Sequence, residues 1–355
     1  MFQFKGTRVP LNSTVLANIL ISFSVICLLM SCQGLRHVRN SLEDIVVDQS
    51  LGRAHIGIEI RSVTTGRYLF TQNAQKHFIP ASNMKLYTTA AAILSLTPDF
   101  TYETRLMTDG SITNGVLKGN LIIIGAGDPS ISGYFNGGNI TAVFEDWSKA
   151  LTRKGVKRID GNIYIDNSYF TESAYGRGWQ LDDLTHCYAA ARDALSFNNN
   201  CIAITVHAGS EIGSPAIIRI EPDTRYLKLT NRVVSSDPGG HISVVKSGSE
   251  DSLALTGHIP LNSRPYVLFE PVRRPALFAA SVFSEILNSN GIALDGEIRL
   301  REGVITTTGM PALTPIASHR SPPLYEIVKV INTISNNLYA ENLLLTIGKE
   351  TSGHG

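Results

Sequence analysis

The stretch that most restricts the fold runs from residue 99 to 305. From Tyr102 onward, short apolar runs are punctuated by Asp109-Gly110, Asn114-Gly115 and Lys118-Gly119, dipeptides that turn a chain back between strands. Leu121 to Ile124 reads as a buried strand, and strand signals dominate from Cys201 to Val267, among them Ile202 to Val206 and Ile217 to Ile220. Two helical patterns interrupt the block. Val143, Trp147 and Leu151 mark an amphipathic helix ending at Lys154-Gly155, and Pro275 opens another whose Leu277, Ala280, Phe283 and Leu287 face one way until Gly291 stops it. Ile292 to Ile305 reads as a further strand pair. Helical patterns lie on both sides of this block, so the fold class is α+β with a large β-rich insert.

On the N-terminal side, Asn40 to Leu51 is predicted helical. Ile56 to Arg61 and Tyr68 to Thr71, joined by Thr64-Thr65-Gly66, form a hairpin expected to begin the main sheet. Pro80-Ala81-Ser82-Asn83-Met84-Lys85 then runs into an Ala-rich segment with Leu86, Ala90, Ile93 and Leu94 at helical spacing, stopped near Pro98. Ser82 and Lys85 belong to its first turn. A three-residue step turns a helix by about 300°, so the two side chains share a face. Lysine can take a serine proton there once burial and nearby positive charge pull its pKa below that of a solvated amine. Serine is also a common helix cap, so the motif alone is compatible with an ordinary helix start.

On the C-terminal side, Leu324, Ile327, Val328 and Ile331 make a helical apolar face, and Leu338, Leu344 and Ile347 make a second. Ser335-Asn336-Asn337 between them reads as a turn. A hydroxyl and a carboxamide two residues apart could relay a proton and hold a substrate amide. An ordinary polar turn has the same letters.

Ser-x-x-Lys followed by Ser-x-Asn is the order found in serine β-lactamases and penicillin-binding proteins. With Gly125-Ala126-Gly127-Asp128-Pro129 and the wide separation of the two motifs, the chain resembles the class C low-molecular-mass penicillin-binding proteins over roughly residues 50 to 350. These are the D-alanyl-D-alanine carboxypeptidases/endopeptidases of bacterial cell walls. The resemblance implies a penicillin-binding/serine β-lactamase-like transpeptidase domain built from 33–98 and 306–355, around inserted β-rich domain(s) at 99–305. It implies Ser82 as nucleophile, Lys85 as its base, Ser335 as proton relay and Asn337 as holder of the acyl-chain amide. Peptidoglycan stem peptides would be substrates and β-lactams covalent inhibitors, with no cofactor.

That family carries a third motif, Lys-Thr-Gly or Lys-Ser-Gly, on a strand after Ser-x-Asn, and this chain stops at Gly355 without one. Lys246-Ser247-Gly248 lies between the first two motifs and reads as a turn. The third-motif strand supplies one of two oxyanion donors, so the chain as written is expected to be truncated, weakly active or inactive, and poorly folded by itself. Two rival readings remain: a non-catalytic wall-facing lipoprotein binding glycan or a partner, and a β-lactamase. The long separation between the motifs argues against the second.

The first 32 residues read as an export signal, with basic Lys5 and Arg8 before a mostly apolar Thr14 to Met30. That run is short for a membrane span and contains Asn18, Ser22 and Ser24. Leu29-Met30-Ser31-Cys32 resembles a lipobox, which would lipidate Cys32 and tether the mature chain to a membrane facing the periplasm or cell envelope. An ordinary cleaved signal with an incidental cysteine has the same letters. In an exported chain Cys187 and Cys201 could close one disulfide. No metal site is expected, because His186 lacks further ligands at useful spacing. The net charge of +1, without long runs of one sign, gives no footprint for nucleic acid.

Overall fold

The computed structural model describes residues 36–246, 251–301 and 312–355. The expected export segment with Cys32, and Ser247 and Gly248 of the Lys-Ser-Gly run, lie outside the described residues. The chain groups into two compact units, 1–81 and 82–355.

In the first unit a helix, α1, covers 36–46. It ends earlier than the apolar pattern suggests, because the Asp48 carboxylate accepts a hydrogen bond from the Ser50 amide and starts a separate turn, Gln49–Leu51. Ile58–Arg61 and Tyr68–Gln72 form the predicted antiparallel hairpin. It does not begin the main sheet: among the described residues these two strands pair only with each other.

The second unit opens with α2, Met84–Leu96, and continues through α3, Ala142–Arg153, and α4, Pro275–Ser289, to α5, Leu324–Ile334, and α6, Asn337–Ser352. Pro275 occupies the first turn of α4, as its fixed φ and missing N–H allow. A five-stranded sheet runs in the order Ile298–Leu300, Ile163–Asp166, Leu121–Ile124, Glu103–Thr108, Thr314–Arg320. A four-stranded sheet runs Ala293–Leu294, Arg158–Asp160, Val116–Lys118, Ser111–Thr113. Ala293–Leu294 and Ile298–Leu300 are not a pair. Each lies parallel to a different strand, Arg158–Asp160 and Ile163–Asp166 respectively. After α3 and again after α4 the chain lays down two short strands in succession, and strands running in the same direction align with their counterparts rather than fold back on each other. Two three-stranded sheets complete the β-rich part, one around Cys201–His207 and one around Ser252–Pro260.

Two apolar clusters hold this unit together. The larger joins α3, α4 and the sheets through Phe144, Trp147, Phe197, Phe278 and Phe283. The smaller packs Ala92 and Leu96 of α2 against Leu324, Ile327 and Ile331 of α5 and Tyr339 and Leu343 of α6. Burying a Leu, Ile or Phe side chain contributes about 1.5–3 kcal/mol, enough over this set to fix three helix ends against one another. The buried stripe of α2 is Thr89, Ala92 and Leu96, whereas Leu86 and Leu94 are 56% and 85% exposed. An Ala-rich helix offers several nearly equivalent stripes, and α5 and α6 choose among them. Leu344 of α6 is likewise on the exposed side.

Candidate active site

Ser82 sits on a single 3₁₀ turn, Ala81–Asn83, that leads directly into α2, with Lys85 as the second residue of the helix. The Lys85 ammonium reaches the Ser82 hydroxyl at 3.0 Å and the Ser335 hydroxyl at 3.2 Å, and it also contacts the Asn337 carboxamide oxygen. A lysine head group has three positions to satisfy, and here all three face the two motifs.

Ser335 ends α5 in the left-handed conformation, φ 57° and ψ 40°. Asn336 caps α6: its side-chain oxygen accepts from the Tyr339 amide at 3.0 Å, and its Nδ2 donates to the Asn199 Oδ1 at 2.8 Å. Asn337 opens the helix and donates its Nδ2 to the Tyr188 carbonyl at 2.8 Å. Both ends of the Asn337 carboxamide are therefore engaged.

The segment 187–200 supports that turn. Cys187 and Cys201 are joined, with their Cα atoms 6.0 Å apart. Between them, Tyr188 and Asn199 meet Asn337 and Asn336, Arg192 pairs with Glu341 at 2.9 Å, and the Asp193 carbonyl accepts from Asn342 at 3.4 Å. Asn198, Asn199 and Asn200 all take positive φ, a conformation asparagine tolerates better than most residues. Asn342 is fully buried and donates further to the Ser196 hydroxyl at 3.1 Å and the Gly127 carbonyl at 3.3 Å. Gly127 has φ 77°, and a Cβ there would come within 2.5 Å of the Phe170 ring. The Gly125-Ala126-Gly127-Asp128-Pro129 run is thus a support under α6. Asp128 within it is buried 3.4 Å from His319; burial raises its pKa, and the imidazole opposes this.

Burial lowers the pKa of Lys85, and the Glu341 carboxylate pulls it back up. The lowering comes from desolvation alone. In place of the neighbouring positive charge that the sequence leads one to expect stands a carboxylate, whose influence has the opposite sign. Lys246 ends the strand His241–Lys246 and is ion-paired with Glu270. Among the described residues no group of three His, Cys, Asp or Glu could hold a metal, and no helix is long and apolar enough to cross a membrane.

Sequence reasoning did not find Tyr188, Arg192, Asn199, Glu341 or Asn342. Asn336 carries a readable signal, an asparagine directly before a helix.

A family model described as the D-Ala-D-Ala carboxypeptidase 3 (S13) family matches residues 38–355. A D-alanyl-D-alanine carboxypeptidase of Actinomadura sp. is 28% identical over 333 residues, 90% of this chain and 59% of the relative. The D-alanyl-D-alanine carboxypeptidase DacB of Haemophilus influenzae is 25% identical over 303 residues, covering 83% of this chain and 59% of that protein. The crystal structure of penicillin-binding protein 4 from H. influenzae superimposes with a TM-score of 0.69 at 25% identity, over 84% of this chain and 63% of that one. The same protein complexed with a β-lactam gives 0.65 at 22% identity, over 84% of this chain and 62% of that one. The mixed α and β architecture with its β-rich insert is that fold. The chain spans about three-fifths of the length of the relatives it matches.

Proposed function

The chain belongs to the D-Ala-D-Ala carboxypeptidase 3 (S13) family, and from that premise we propose that it is a serine-type hydrolase of peptidoglycan peptides ending in D-Ala-D-Ala, acylated on Ser82. The observation that carries this reading is the single amine of Lys85 set 3.0 and 3.2 Å from two serine hydroxyls.

A neutral lysine has two N–H bonds and one lone pair. With the N–H bonds directed to Ser335 and Asn337, the lone pair is left for the Ser82 proton. Ser82 Oγ then adds to the carbonyl of the penultimate D-Ala. The proton held by Lys85 passes through Ser335 to the departing D-Ala nitrogen as the peptide bond breaks, leaving the acyl-enzyme, and water attacks it along the reverse route. Asn337 orients the amine through Oδ1. Its Nδ2 carries two N–H bonds, so with one on the Tyr188 carbonyl the other is left to hold the carbonyl of the acyl-chain amide. β-Lactams would trap the same serine.

The 355 residues contain no Lys-Thr-Gly, and Lys246 of the Lys-Ser-Gly run is engaged with Glu270. A site with the Ser82 amide as its one oxyanion donor would turn over about 10²- to 10³-fold more slowly than a two-donor site. Residues 1–32 are proposed as an export signal with Cys32 as lipid acceptor, placing the chain in the cell envelope. Incorporation of labelled palmitate that is lost in Cys32→Ala tests this.

Fluorescent penicillin followed by mapping of the modified peptide tests the catalytic reading. Covalent label on Ser82, absent from Ser82→Ala, is expected. An unlabelled parent chain, or label retained in S82A, overturns it.

A further inference from the structure

Glu341 lies one helical turn beyond Asn337 on α6 and so shares the face that meets Lys85. A bare carboxylate there would hold the lysine in its charged form, which cannot accept a proton from serine. Arg192 stands against it. Its guanidinium is only 9% exposed, pairs with Glu341 through Nη1 at 2.9 Å, and donates through Nη2 to the Ser173 carbonyl at 2.6 Å, while its own backbone amide bonds the Ala174 carbonyl.

Resting on the reading of Lys85 as the base, we propose that Arg192 is a positioning residue for acylation: by pairing with Glu341 it balances the negative charge facing Lys85 and keeps the lysine available as an uncharged amine. The pair is partly buried, so its charges are weakly screened by water. The other ionisable groups near the site are committed elsewhere. Lys85 is the one charged residue of α2. Glu326 and Lys329 on α5 pair with each other on an exposed surface. Farther along α6, Lys349 and Glu350 are drawn to Tyr169. In the neighbouring 182–193 segment, Asp183 accepts from the Tyr188 hydroxyl, the exposed His186 stacks on the Tyr188 ring, the exposed Asp182 faces solvent, and half-buried Asp193 is bonded to Asn167 and the Leu195 amide. Removing Arg192 therefore leaves Lys85 as the cation to which Glu341 turns.

The test reads Lys85 directly. In the 355-residue chain with ¹³C-labelled lysine, the Lys85 resonance is assigned through Lys85→Arg and followed against pH. Arg192→Met is expected to move its midpoint up by on the order of one pH unit, whereas R192K keeps it within about 0.3 unit of the parent. Glu341→Gln moves it down, and the double variant R192M/E341Q returns it near the parent. The rising limb of the penicillin acylation rate follows the same order. A merely structural Arg192 would change stability without this ordering. An unchanged midpoint in both R192M and E341Q overturns the proposal, as does an R192K shift equal to that of R192M. Should R192M fail to fold, E341Q and the double variant still decide: no downward shift in E341Q overturns it. Absence of penicillin label on the parent Ser82 would instead remove the catalytic reading, leaving the charge coupling to stand or fall on the titration.

Discussion

Ser335 occupies a position that glycine would ordinarily fill. It terminates α5 at φ 57° and ψ 40°, where an L-residue suffers Cβ crowding of about 1–2 kcal/mol relative to the right-handed region. Glycine avoids that crowding but brings about 0.5–1 kcal/mol more unfolded-state entropy. The difference favours glycine by about 0.5–1 kcal/mol. Ser335→Gly and Ser335→Ala both delete the hydroxyl that meets Lys85, so comparing them isolates the backbone term. Urea unfolding with matched m-values should find S335G more stable than S335A by that amount. Both should acylate with penicillin far more slowly than the parent, by about 10²-fold or more, if the hydroxyl moves a proton. Equal stabilities of the two variants would refute the strain argument, and a parental acylation rate in S335G would refute the relay. A residue that costs stability and is retained for its hydroxyl is a pattern expected at functional positions.

Three further outcomes follow from the support beneath α6. Cys187→Ser/Cys201→Ser opens a loop with a sequence separation of 14 and should cost about 3 kcal/mol in chemical denaturation; a loss under about 1 kcal/mol would show that the segment is held without the bond. Asn342→Ala leaves the Gly127 carbonyl without its side-chain donor, while the Asp193 carbonyl keeps the Ser196 hydroxyl and the Ser196 hydroxyl keeps Asn200, with an expected loss of about 1–3 kcal/mol, and an unfolding midpoint indistinguishable from the parent would contradict it. Asp193 has its pKa raised from 3.8 to about 6, chiefly by burial. The folded state therefore binds the proton more tightly than the unfolded state. The stability this contributes is complete below pH 4 and is lost as pH rises through 6, on the order of 3 kcal/mol in all. The stability gap between the parent and Asp193→Asn should change by about that amount between pH 4 and pH 7, and parallel pH profiles of the two would show that Asp193 titrates normally.

What the sequence made legible was what local rules govern. Pro98, Pro275 and Gly291 stop or start helices as their backbone chemistry requires, and Ser335-Asn336-Asn337 is the turn its composition suggests. Ser82 and Lys85 share a face because a three-residue step puts them there. The strand partners of 293–300 and the buried stripe of α2 were not legible. Both are choices among near-equivalent local options, settled by segments far away in the chain. The support of the site was hidden for a different reason. The groups that fix Asn337 and Asn342 are largely carbonyls, at Tyr188, Asp193 and Gly127, and a carbonyl has no letter of its own. Any residue at those positions would offer the same oxygen, provided the segment were held in place. The letters that matter there are the ones that hold it: the two cysteines, the asparagines with positive φ, and Arg192. Substitutions that disturb the Lys85 cluster should therefore fall as often within 187–201 as within the two motifs, although nothing between Cys187 and Cys201 touches Ser82 among the hydrogen bonds of the described residues.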